Sequence, residues 1–156
     1  QVIRKAVELG TFQIFPLSTE RTVIKAPLSE NEKKIKRWQK IAMDASKQCG
    51  RSCVPEIKPL LFSVGDFCSQ VSSSSLKICL WEDEVINRIQ DVSLARMPKN
   101  IALLIGPEGG FSSEEINRIR SFGFRFVSLG PRILRAETAP IAALAILQNM
   151  WGDVGK

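Results

Sequence analysis

The chain has 156 residues and a net charge of +6, with 44% hydrophobic and 24% charged residues. That length suits one domain of about 150 residues and is enough to bury roughly two-thirds of the unfolded surface. The composition excludes a disordered or fibrous chain. Histidine and tyrosine are both absent. This excludes a Ser-His-Asp triad, a Cys-His pair, any imidazole metal site, and tyrosine as acid, base or nucleophile.

The cysteines, Cys49, Cys53, Cys68 and Cys79, have no C-x-x-C spacing. They are expected as reduced thiols of an intracellular protein, with neither a metal site nor a disulfide scaffold. No apolar run approaches the ~20 residues of a membrane span. The longest, Ala139 to Leu147, contains Pro140. No signal peptide is read at the start. The chain opens on QVIRKAVELG, which reads as helix, so an upstream domain is expected.

In chain order, Gln1–Leu9 reads as a helix stopped by Gly10, and Phe12–Leu17 as a short strand. Ser29-Glu30-Asn31-Glu32 is a capping box opening a long helix. Ile35, Trp38, Ile41, Ala42 and Ala45 recur on its buried face. That helix ends near Cys49-Gly50, and Pro55 and Pro59 bracket a short extended piece. Ser63–Val71 reads as a short helix, Ser72–Ser75 as a polar loop and Leu76–Trp81 as a strand. Ile101–Ile105 is uniformly apolar, as in a strand covered on both faces. A second capping box, Ser112-Ser113-Glu114-Glu115, opens a helix to about Ser121. The strand Phe124–Leu129 follows, then a basic loop and a final apolar helix through Trp151. The alternation predicts an α/β fold with a mostly parallel sheet and helices on both faces.

Residues 1–60 carry 12 basic and 6 acidic side chains, residues 61–110 carry 4 and 6, and residues 111–156 carry 6 and 4. A basic first third fits a polyanionic partner such as nucleic acid. The run Lys33, Lys34, Lys36, Arg37, Lys40 equally fits a solvated helix face. The cations of the last third are nearly all arginine, the better fork for phosphate or carboxylate.

Two glycine-bearing loops, IGPEGGF at Ile105–Phe111 and SLGPRILRAETA at Ser128–Ala139, follow what read as two adjacent core strands. Ligands of open α/β sheets collect outside the carboxyl ends of the strands. Glycines admit backbone amides to a ligand, and the first loop runs into a capped helix N-terminus. Together the loops predict a binding cleft. The G-x-G-x-x-G and G-x-x-x-x-G-K-[ST] spacings are both absent, which disfavours a dinucleotide enzyme or a P-loop NTPase.

LLIGPEGGFSSEEI followed by SLGPRILRAETAPIAAL resembles the RsmE-type 16S ribosomal RNA (uracil-N3) methyltransferases of the SPOUT superfamily. KAVELG, the STER after the first strand, and QCGR lie in the order of that family's KAxELG, SERS and EQSxR blocks. Thr22, Lys47 and Cys49 depart from those blocks, and the family's N-terminal β-barrel (PUA-like) RNA-binding domain is expected to lie outside these 156 residues. The resemblance implies a SPOUT methyltransferase domain over residues 1–156, with a C-terminal trefoil knot. It implies S-adenosylmethionine held by Ile105, Gly106, Pro107, Glu108, Gly109, Gly110, Leu129, Gly130, Ile133, Leu134 and Arg135. The resemblance also implies a third wall from Leu80 and Trp81.

It further implies methylation of the N3 of one uridine in the decoding region of small-subunit RNA. Glu108, Glu137 or a water held by them would take the N3 proton, and Arg135 would stabilise the uracil anion, pair with Glu137 or position phosphate. Arg21, Arg51 and Arg132 would grip the RNA; for Arg21 and Arg51 a structural ion pair is an equal expectation. A homodimer is expected through the final helix, where Ala142, Ala143 and Ala145 permit close approach. The implied location is a bacterial cytoplasm, or else a chloroplast or mitochondrion. The competing reading is a non-catalytic RNA-binding or ribosome-assembly module, which would have no need of both loops.

Overall fold

The computed structural model describes residues 1–22, 28–73, 75–84 and 86–155, with residues 28 and 29 described by their backbone alone. The helices are α1 (Val2–Glu8), α2 (Leu28–Gln48), α3 (Val64–Gln70), α4 (Ser113–Ser121) and α5 (Ala139–Trp151). The strands are β1 (Gln13–Ile14), β2 (Glu56–Ile57), β3 (Leu76–Leu80), β4 (Ile101–Ile105) and β5 (Arg125–Val127). Gly10 ends α1 as expected. Its φ is +83°, and the Gly10 and Thr11 amides donate to the carbonyls of Val7 and Ala6. The cap expected at Ser29 falls on a side chain outside the described ones; α2 itself begins at Leu28.

The strands form two parallel sheets rather than one, β1-β2 and β4-β3-β5. The expected strand Phe12–Leu17 shortens to Gln13–Ile14, followed by a bridge between Leu17 and Leu61. Pro16 and Pro59 have no N–H, so the ladder between these segments is interrupted. It resumes where the Leu61 amide donates to the Pro16 carbonyl at 2.9 Å. The two strands that precede the glycine loops are not neighbours, as the sequence suggested: β3 lies between β4 and β5.

β3 alternates faces with period two. Cys79 packs with Val64, Phe67 and Cys68 of α3 and with Ile116 and Ile119 of α4. Leu76, Ile78 and Leu80 pack on the opposite face with Ile89 and with Ala143 and Leu147 of α5. Helices thus cover both faces of this sheet. A third apolar cluster joins Val7 of α1, Ala42 and Ala45 of α2, and Ile57 of β2. Gln148 of α5 donates to the Leu9 carbonyl at 2.8 Å, tying the last helix to the end of the first. All four cysteines are free thiols, with Cys68 and Cys79 buried. Burial pushes both thiols up, which leaves them protonated and inert.

Candidate cofactor site

The register of the larger sheet brings three chain segments to one place. Leu80, the last residue of β3, pairs with Ile105 on one side and Val127 on the other. Because all three strands are parallel, the end of β3, the loop after β4 and the loop after β5 leave the sheet at one level. This is the carboxyl edge where α/β sheets bind ligands.

The first loop is a tight turn, closed by the Gly110 amide donating to the Pro107 carbonyl at 2.9 Å. Gly110 has φ +66°, and a Cβ there would run into the Glu82 carboxylate. A Cβ on Gly106 would come within 3.2 Å of the Phe111 ring, which is itself buried in the α3–α4 core. The loop is therefore a tight backbone turn with no room for larger residues, because the chain's own side chains occupy the space beside both glycines. It leads into α4, whose N-terminus carries the capping box read from the sequence. Ser112 Oγ accepts from the Glu115 amide at 3.2 Å, and Glu115 Oε2 accepts from the Ser112 amide at 2.9 Å.

Glu115 is only 5% exposed. Its second oxygen, Oε1, accepts from the Glu20 amide at 3.1 Å. The early segment thereby docks against the glycine loop. Arg21 completes the contact, with Nη1 donating to the Gly109 carbonyl at 2.9 Å. A Cβ on Gly109 would come within 3.2 Å of the Arg21 Cβ. The segment is held in shape by Thr22, whose hydroxyl accepts from the Thr19 amide at 2.8 Å.

The second loop begins where Ser128 bridges Arg88. Its amide donates to Asn87 at 2.8 Å and its carbonyl accepts from Ile89 at 3.0 Å. Glu84 Oε1 accepts in turn from the amides of Ile86 and Asn87, both at 2.9 Å. Those two bonds hold the Glu84 carboxyl below its usual range. Gly130 has φ +113° with open space where a Cβ would sit. Leu134 is half-buried, while Arg132, Ile133, Arg135 and Glu137 are exposed. At 85% exposed, Ile133 projects fully from the loop. The ion pairs among the described residues are Lys5–Glu8 and Lys58–Glu56, so Arg135 and Glu137 are not paired. Leu80 is buried, and half-buried Trp81 meets Phe126 edge to face with ring centres 5.4 Å apart.

Of the arginines singled out in the sequence, only Arg21 makes a described contact with the first loop. Arg51 instead clamps the end of α1. Its Nη1 donates to the carbonyls of Val7 and Thr11 at 2.8 Å each, and its guanidinium lies 5.2 Å from the centre of the Phe12 ring. The expected ion pair at Arg51 is thus replaced by carbonyl bonds. Three site residues escaped the sequence reading: Glu82, Glu84 and Glu115. The acidic WEDE that follows β3 is the signal that would have found the first two. Glu115 read only as a helix cap. A cleft of about 1300 Å³ runs between the two sheets and reaches the first loop only at Ile105 and Gly106. Among the described residues no cluster is suited to a metal ion, and no helix is long and apolar enough to cross a membrane.

Residues 1–148 match the family described as RNA methyltransferase domain. The ribosomal RNA small subunit methyltransferase E of Buchnera aphidicola is 36% identical over 151 residues, covering 97% of this chain and 58% of that protein. The Synechocystis protein of the same name is 38% identical over 148 residues, covering 93% and 47%. Among solved structures, one from Legionella pneumophila in complex with the bound cofactor SAM superposes with a TM-score of 0.86 at 39% identity, covering 96% of this chain and 60% of that one. A ribosomal RNA small subunit methyltransferase E from Neisseria gonorrhoeae, bound to S-adenosyl methionine, also gives 0.86 at 34% identity, covering 98% and 61%. The chain therefore spans about three-fifths or less of the length of these relatives. Its two glycine loops, their common sheet edge and the match across nearly all its residues place the chain in the RNA methyltransferase domain family, among the RsmE-type proteins.

Proposed function

We propose that this chain is the S-adenosylmethionine-dependent catalytic domain of a methyltransferase acting on the N3 of a uridine in small-subunit ribosomal RNA, in the decoding region. The observation that carries this reading is the meeting of Leu80, Ile105 and Val127 at one sheet edge with a glycine cradle beside it. The cofactor supplies an already activated methyl group; the protein supplies alignment and electrostatics. Gly106, Gly109, Gly110 and Gly130 present backbone to the cofactor, with Ile105, Pro107, Leu129, Ile133 and Leu134 as aliphatic walls. Leu80 and Trp81 close the third side.

Uracil N3 must lose its proton before it attacks. Glu108 and Glu137 are exposed carboxylates without ion-pair partners among the described residues, so either is free to accept it directly or through water. Arg135, likewise exposed and unpaired, would stabilise the anion that develops on the base. Arg132 and the exposed cations of α2, Lys33, Lys36, Arg37 and Lys40, offer contacts to phosphate. The early arginine Arg21 would serve RNA only while also holding the cofactor loop.

The same reading includes the family's trefoil knot and a homodimer. Ala142 and Ala145 of α5 remain half-exposed, small and apolar, which supports close approach of a second copy. Ala143, grouped with them in the sequence, is fully buried in its own chain and is not available to a partner. Tritium transfer from labelled S-adenosylmethionine to purified small subunits tests the activity. Label recovered as N3-methyluridine supports it. Tight RNA binding with no cofactor binding would support the non-catalytic module instead.

A further inference from the structure

We propose that Glu82 reads the positive charge of the methyl donor, favouring the charged donor over its neutral, demethylated product. This rests on the cofactor site described above.

Glu82 lies two residues beyond Leu80, at the end of the central strand. Its carboxylate sits over Gly110, in the space that any larger residue there would need. The side chain is exposed, and among the described residues it makes no hydrogen bond or ion pair. Its neighbour Glu84 is committed to the amides of Ile86 and Asn87. Arg21 approaches the same loop but donates to the Gly109 carbonyl. A free carboxylate is thus packed against the cradle, with no ion-pair partner among the described residues. The surrounding sequence is acidic as well: residues 61–110 carry 6 acidic against 4 basic side chains, in a chain of net charge +6.

That local sign is opposite to what an RNA surface needs, and it suits a cationic small molecule. The methyl donor carries a sulfonium and its product a thioether, so the two ligands differ by one positive charge and share the ribose, adenine and amino-acid groups. A carboxylate that hydrogen-bonds a shared group affects both ligands equally. One that senses the sulfonium affects the donor alone. Favouring the donor would also ease release of product after each turnover.

The test is calorimetric titration of the chain with S-adenosylmethionine and with S-adenosylhomocysteine, for the wild type, Glu82→Gln and a remote control, Asp44→Asn. Glu82→Gln is expected to weaken the donor about three- to fivefold, as for an exposed charge pair. It should leave the product essentially unchanged, and the control should match the wild type. The wild-type preference for donor should also shrink as salt is raised, whereas that of Glu82→Gln should not. Equal weakening of both ligands, or no effect on either, overturns the proposal while the cofactor site stands. A folded wild type that binds neither ligand overturns the cofactor site itself and this inference with it.

Discussion

Arg21 reaches across to the glycine loop and donates to the carbonyl of Gly109 at 2.9 Å, joining residues that lie 88 positions apart. The segment that reads as an RNA grip is therefore also a brace for the cofactor cradle. Truncating it should be felt by the cofactor. We expect Arg21→Ala to weaken S-adenosylmethionine binding about three- to tenfold, the scale of one charge-assisted hydrogen bond in a partly solvated setting. Calorimetry checks this. Unchanged cofactor affinity combined with lost RNA affinity would assign Arg21 to RNA alone.

Glu115 is the buried counterpart of that brace, because its two oxygens serve Glu20 and Ser112. Glu115→Ala leaves both amides without their acceptor and removes the capping box. The cost should be about 2 kcal/mol, or a fall in Tm of roughly 4–8 °C for a domain of this size. Ser112→Ala, which removes only the Oγ acceptor, should cost about 1 kcal/mol. Thermal unfolding followed by circular dichroism measures both, and equal costs would show that the Glu20 contact is idle.

Gly110 and Gly130 both have positive φ, but their surroundings differ: Glu82 fills one position and open space the other. Gly110→Val should stay folded with a lowered Tm and lose cofactor binding, since strain and collision fall on the cradle together. Gly130→Ala should retain more affinity, because its Cβ meets no protein atom within 4 Å. Titrating S-adenosylmethionine into both variants ranks them. Normal binding by Gly110→Val would show that the cradle does not hold the ligand.

Glu84 supplies a pH dependence. Its carboxyl is held below the ordinary value by the amides of Ile86 and Asn87. A depressed folded-state pKa contributes stability that is present above the unfolded value and lost as pH falls through the folded one. Amide-exchange protection of Ile86 and Asn87 should therefore decline on acidification below about pH 4.5. In Glu84→Gln it should be lower at neutral pH and nearly flat with acid. A flat wild-type profile would show that this carboxylate does not order the segment.

Much of this architecture is legible in the residues. Ser112 and Glu115, three apart before an apolar run, announce the start of α4, and Gly10 announces the end of α1. The glycines of both loops mark where backbone must approach something. Strand order is not legible, because periodicity identifies β3, β4 and β5 as buried strands but carries no record of which pairs with which. Arg51 illustrates a second limit. Its guanidinium is bound by carbonyls of residues 7 and 11, at a distance in sequence that no local pattern encodes. Glu82 illustrates a third. A carboxylate after a strand reads as a solvated turn until the fold lays it over Gly110.

The cofactor is expected at the common edge of β3, β4 and β5 and not in the cleft between the sheets. Amide chemical-shift mapping by NMR during titration with S-adenosylmethionine separates these sites directly. Perturbations are expected to concentrate at residues 80–82, 105–110 and 128–135. Shifts concentrated instead at Phe12, Phe15 and Trp151, which line the inter-sheet cleft, would contradict it.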